Sequence, residues 1–269
     1  MKWAERTGGR LNGGDRLHLL GQAVTLQASV LSWRLKKKFG GQRRAADLDG
    51  VRIPDSRIAR DAEELCREVS PPHLLQHCQR TYLWGSLLGR QGGIRYDEEL
   101  FYVASLLHDL GATSRYPGEG LHCFGVASAL AARDFVRARE WEEARARAVA
   151  EAISLHLNVR VGLEHGPEAH LLSAATALDV TGLRVWELDR GTIGAVLARH
   201  PRLDFAREMD AFARREMEAR PDGRIRFLYQ YLRFGQLMQR CPLDRRPATD
   251  LSPAMGAIQD CFTTPRAPE

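Results

Sequence analysis

His108 and Asp109 stand side by side in Leu106-Leu107-His108-Asp109-Leu110-Gly111, an apolar run suited to a buried helix end. An imidazole and a carboxylate at that depth need a partner, because an unpaired buried charge costs on the order of several kcal/mol. A metal ion suits both groups. His77 lies upstream among apolar neighbours, and His156 and Asp179 lie downstream, Asp179 again on an apolar stretch, Ala177-Leu178-Asp179-Val180. His77, His108, Asp109 and Asp179 make a set of two nitrogens and two oxygens. Zinc, iron, manganese and cobalt all accept such donors, which do not choose among them. With water in a further position the site would be an open, catalytic one. The expected cofactor is one divalent transition metal, zinc first, with iron or manganese as alternatives.

The elements that must position these groups read as helices. Ser56 can cap a helix whose apolar face is Ile58, Ala62, Leu65, Cys66 and Val69. Ser70-Pro71-Pro72 starts the next helix, with proline where its missing N–H costs nothing; it carries His77 and ends near Gly89. Asp97 with Glu98 and Glu99 begins a third, running through His108 to Gly111. Further helices are expected at about 124–137, from 140 to His156, from Pro167 through Asp179, and at 191–199, 204–219 and 225–239. No run of alternating strand character appears, so the fold class is all-α. The chain divides into a basic N-terminal extension with one amphipathic helix (1–50), a catalytic body (51–241) and a loosely held tail (242–269).

The net charge of +5 is uneven: residues 1–50 hold ten Lys/Arg against four Asp/Glu, and the remainder 29 against 30. The basic surplus therefore belongs to the extension, and no aromatic-and-basic stripe marks the body for nucleic acid. The segment from Leu17 to Phe39 is too polar for a bilayer span or a signal-peptide core. It suits a helix ending in Arg34, Lys36, Lys37 and Lys38, docked by default on protein. Five widely spaced cysteines with no C-x-x-C pair fit reduced thiols in a cytoplasmic protein better than a disulfide framework. A small-molecule substrate is the expected partner, and a homodimer stays open.

The ordered elements His77-Cys78-Gln79-Arg80-Thr81-Tyr82, His108-Asp109-Leu110-Gly111-Ala112-Thr113, Leu155-His156 and Ala177-Leu178-Asp179-Val180-Thr181-Gly182 resemble the HD-domain superfamily. Within it they are most similar to the branch containing the cyanamide hydratases, and Pro201-Arg202-Leu203-Asp204-Phe205 resembles a downstream element of that branch. The resemblance implies an HD-type helical bundle in which His77, His108, Asp109 and Asp179 are metal ligands. It makes His156 a further active-site histidine, either ligand or proton donor; otherwise it is a helix-end histidine bonding a carbonyl. Thr176, one turn before Asp179, would present a hydroxyl to the cavity or bond the carbonyl four residues back. Arg80 would clamp an anionic substrate or neutralise a carboxylate behind the site. Thr113, just past the dyad with Arg115 and Tyr116, would line the cavity mouth.

One departure stands out. The branch has an acidic residue shortly after the dyad where this chain reads Cys123-Phe124-Gly125-Val126; Glu119 is a candidate replacement. The leading expectation is a metal-dependent hydrolase or hydro-lyase adding water to a small nitrile-like or amide-like substrate. The alternatives are a phosphohydrolase acting on a nucleotide or phosphate ester, a di-iron oxygenase that also uses His122, and a non-catalytic metal-stabilised interaction protein.

Overall fold

The computed structural model describes residues 2–38, 48–117 and 122–244. Residues 39–47 of the expected extension fall outside them, as do Glu119 and residues 245–269 of the expected tail. Among the described residues the structure is helical, with no strand beyond one isolated bridge between Arg10 and Gly223. The all-α expectation holds. No described helix is long and apolar enough to cross a membrane.

Two helices, α1 (Lys2–Thr7) and α2 (Gly13–Lys38), precede the body. The body comprises α3 (Arg57–Val69), α4 (Pro72–Gly92), α5 (Glu98–Leu107), α6 (Phe124–Arg137), α7 (Glu143–Leu155), α8 (Pro167–Thr181), α9 (Arg190–Arg199), α10 (Phe205–Ala219), α11 (Arg224–Leu232) and α12 (Phe234–Gln239). Ser56 caps α3 as its sequence demands, its hydroxyl accepting the Ala59 N–H at 3.2 Å. Asp97 does the same for α5 through the Leu100 N–H at 3.0 Å.

The core forms around α4, which packs on α5 and α8 and buries Trp84, Leu87 and Leu88 against Phe101, Leu171 and Leu172. Gly85 is what allows this approach: a Cβ there would stand 2.2 Å from Phe101 Cζ. Gly111 plays the same part after the dyad. A Cβ at 111 would sit 2.2 Å from the Phe124 carbonyl oxygen, so glycine lets the Leu110–Ala112 turn lie against the start of α6. The Gly111 N–H donates to Ser128 Oγ at 2.8 Å, and that hydroxyl donates to Phe124 O. His108 and Asp109 are thereby pinned between α5 and α6.

Four sequence expectations need correction. The extension holds two helices rather than one; it docks on protein, here the body. Cys123 N–H donates to Gly8 O and Leu11 N–H to Asp222 O, each at 2.8 Å, while Leu11, Leu19 and Ala23 join Phe124, Ile225 and Leu228 in a second apolar cluster. The third helix stops at Leu107, four residues short of Gly111, because His108 and Asp109 turn the chain out of it. The expected 225–239 helix is two, broken at Arg233, whose φ of 51° is left-handed. The ordered body also continues past Cys241, since Pro242 and Leu243 are buried and Asp244 pairs with Arg202.

Candidate metal centre

Three histidines reach one carboxylate, each oriented by its other ring nitrogen. His108, at the C-terminal end of α5, lies with Nδ1 2.8 Å from Ser105 O. His156, at the end of α7, lies with Nδ1 2.6 Å from Ile153 O. A carbonyl can only accept, so both Nδ1 atoms carry the proton and both Nε2 atoms keep a lone pair. Burial favours the neutral rings, pushing the His108 imidazole down and that of His156 to about 3. His77, on α4, donates its Nδ1–H to Asp179 Oδ2 at 2.7 Å, and its Nε2 faces His108 and Asp109.

These lone pairs collect around Asp109. His77 Nε2 is 3.1 Å from His108 Nε2; Asp109 Oδ2 is 3.3 Å from His108 Nε2 and 3.5 Å from His77 Nε2. His156 Nε2 approaches the other carboxylate oxygen at 3.7 Å. All four side chains are buried. Among the described residues no hydrogen bond reaches the Asp109 carboxylate; its partners are these imidazole nitrogens at 3.3–3.7 Å. A buried cluster of that composition suits a cation. Neighbouring donors on one transition-metal ion stand roughly 3 Å apart, as these do. His77, His108 and Asp109 therefore fit such an ion by type, spacing and burial.

Asp179 is placed differently. Its Oδ1 accepts from Arg80 Nε (2.8 Å) and Trp84 Nε1 (2.7 Å); its Oδ2 accepts from Arg80 NH2 (2.8 Å) and His77 Nδ1. Burial alone would raise its pKa, but the Arg80 guanidinium, then Arg202 and the His77 N–H, hold the carboxyl well below the usual range. The structure thus sets Asp179 behind His77, on the far side of the ring from Asp109.

Arg80 is fully buried, and its NH1 donates to the carbonyls of His200 and Pro201. Of the two roles open to it, neutralising a carboxylate is the one its contacts serve. Thr176 donates its hydroxyl to Ser173 O at 3.1 Å, and Thr113 donates to Leu110 O at 2.7 Å, so both protons are tied to neighbouring backbone. Arg115 pairs with Glu68 on the surface. His122 is not brought into the His77–His108–Asp109 cluster. The Gly125 departure has a packing reason: a Cβ there would lie 2.9 Å from Leu157 Cδ1, 3.3 Å from Arg224 NH2 and 3.4 Å from His156 Cε1.

Sequence reasoning passed over three residues. Trp84, buried in the core, lies seven residues after His77 and four after Arg80 on the same helix face, and its indole N–H donates to Asp179. Phe205 stacks on the His77 ring, centroids 4.5 Å apart. Arg202 donates to the Asp179 main-chain oxygen at 2.6 Å and pairs with Asp244. The Pro201–Phe205 element was visible, but its contacts were not.

No curated protein matches the chain. Residues 74–181, from α4 through α8, match the family model described as HD domain. A buried His–His–Asp cluster within that span suggests a metal-dependent hydrolase, the usual activity of such domains. The match and the cluster together support placing this chain in the HD-domain superfamily.

Proposed function

We propose that this chain hydrates or hydrolyses a small neutral substrate, nitrile-like or amide-like, in the manner of the cyanamide hydratase-like branch. His77, His108 and Asp109 would hold one divalent metal ion. When bound, such an ion supplies Lewis acidity and makes water a nucleophile near neutral pH. The observation that carries the reading is the buried Asp109 carboxylate ringed by three imidazole nitrogens at 3.3–3.7 Å.

The chain's own groups divide the remaining work. Ser105 O, Ile153 O and Asp179 fix the ring orientations. His156 Nε2, beside Asp109 Oδ1, is the free basic atom available to take or return a proton. Thr176 and Thr113 can offer the site only acceptor oxygens as they are placed. Phe205 and Phe124 pack on His77 and His156, keeping water from the ring faces.

Neutral substrates are favoured because the guanidinium groups nearest the cluster are committed: Arg80 to Asp179, and Arg202 to Asp244 and Asp179. One observation supports a phosphate ester as the second reading. Arg224 is buried close to His156; its NH1 and NH2 bond Ser154, Asn158 and Cys123, but among the described residues its Nε–H has no partner. The test is metal analysis of protein purified without chelator, then a screen of nitriles, amides and phosphate esters with that metal restored. Turnover of a nitrile or amide is expected. Turnover of phosphate esters alone selects the second reading. Absence of bound metal ends both.

A further inference from the structure

We infer that Asp179 is not a metal ligand in this protein but a positioning residue, the carboxylate that fixes the tautomer and aim of His77. The inference rests on the metal-centre reading above and refines which residues belong to it. An ionised carboxylate has about four lone-pair sites. All four of those on Asp179 are taken, by Arg80 twice, by Trp84 and by His77, at 2.7–2.8 Å. Nothing is left to offer an ion.

The two buried carboxylates near His77 are therefore unlike. Asp179 is saturated with donors and its charge is balanced by Arg80, with Arg202 also facing it at 3.5 Å. Asp109 has no such donors and faces the Nε2 atoms of His77 and His108 at 3.3–3.5 Å. Moving Asp179 toward the cluster would strand Arg80, whose remaining bonds run to the carbonyls of His200 and Pro201 and whose side chain has no exposure to solvent. It would also strand the Trp84 N–H. The main chain is anchored too, through Arg202 to Asp179 O.

What Asp179 does for His77, backbone carbonyls do for His108 and His156. In each case an oxygen holds Nδ1–H so that Nε2 faces Asp109. A carboxylate in that position also makes the imidazole a stronger donor toward a metal, and losing one typically costs about 10- to 100-fold in metal affinity. Loss of a true ligand costs the site.

The experiment compares zinc binding by wild type, Asp109→Asn and Asp179→Asn, using chelator competition and metal-to-protein ratios. Long-range 1H–15N NMR of the histidine rings accompanies it. Asp109→Asn is expected to lose zinc. Asp179→Asn is expected to keep one equivalent at about 10- to 100-fold weaker affinity. In wild type, with or without zinc, His77 is expected to show a protonated Nδ1 with a downfield proton that disappears in Asp179→Asn. Zinc loss in Asp179→Asn equal to that in Asp109→Asn overturns the inference. So does a His77 ring protonated at Nε2 in wild type, a readout that stands even if the variant fails to fold. Failure of wild type itself to bind zinc or any other divalent transition metal would instead end the metal-centre reading.

Discussion

His77 donates its Nδ1–H to Asp179 across 2.7 Å while its Nε2 stands 3.1 Å from that of His108, so one ring joins two opposite environments. On one side every acceptor has a donor. On the other, among the described residues, no hydrogen bond reaches the Asp109 carboxylate.

The saturated side should be a large contributor to stability. Arg80→Leu leaves Asp179 buried and uncompensated, and is expected to cost about 3–5 kcal/mol. Trp84→Phe removes one donor and keeps the ring, for about 1–3 kcal/mol. Urea denaturation of the metal-free proteins reads both. A Trp84→Phe variant as stable as wild type would show that Asp179 does not rely on the indole.

The unsaturated side should behave differently. In metal-free protein Asp109→Asn is expected to cost less than Arg80→Leu, because no hydrogen bond is lost with the buried charge. Adding zinc at about 100 times its dissociation constant should stabilise wild type by about 2.7 kcal/mol and leave Asp109→Asn unchanged. Thermal melts with and without zinc decide it; a metal-free variant weaker than Arg80→Leu counts against the assignment.

Acid should unfold the metal-free protein early. His108 and His156 are held neutral by burial, His156 with a pKa near 3 against its ordinary 6.5. Between those values the unfolded chain binds more protons, so stability rises with pH and drains away as pH falls from about 6.5. Above that window both states carry neutral rings, and these histidines add no slope. Asp179 works lower down: its depressed pKa contributes stability above about 3.9 that is lost in stronger acid. Denaturation midpoints at pH 7.5, 6 and 5 should decline steadily, and a flat series would contradict buried neutral histidines.

Position 125 tests the packing beside His156. Gly125→Ala pushes Cβ to within 2.9 Å of Leu157 and close to the His156 ring and Arg224. We expect a loss of about 1–3 kcal/mol and a shifted His156 ring signal in NMR. An unperturbed variant would mean that Leu157 yields freely.

The docked extension is open to a similar test. Gly9 has φ +86°, and a Cβ there would fall 2.2 Å from Cys123 Sγ. Gly9→Ala should release the segment from the α6 start, and limited proteolysis should then cut within residues 8–16 far faster than in wild type. Equal cleavage rates would show that this contact does not hold the segment.

Much of this molecule could be read in order along the chain. Cap residues such as Ser56 and Asp97 and the 3.6-residue spacing of apolar side chains announce helices locally, because their energetics lie within a turn or two. The dyad His108-Asp109 was equally legible, since an apolar run with a charge in it poses its own question. The breaks were less so. The kink at Arg233 carries no proline or glycine at its left-handed position, and the early end of α5 depends on Gly111 meeting Phe124 from another helix.

By itself, then, the sequence settled the all-α class and the residues able to hold an ion, because residue type and spacing are local properties. Only the tertiary structure gives two similar aspartates different partners. Asp109 and Asp179 both sit on apolar segments, but the donors that saturate Asp179 come from α4, and the backbone behind it is held from beyond α9. A carboxylate's role is set by which donors reach its lone pairs first, and that competition exists only once distant helices have met.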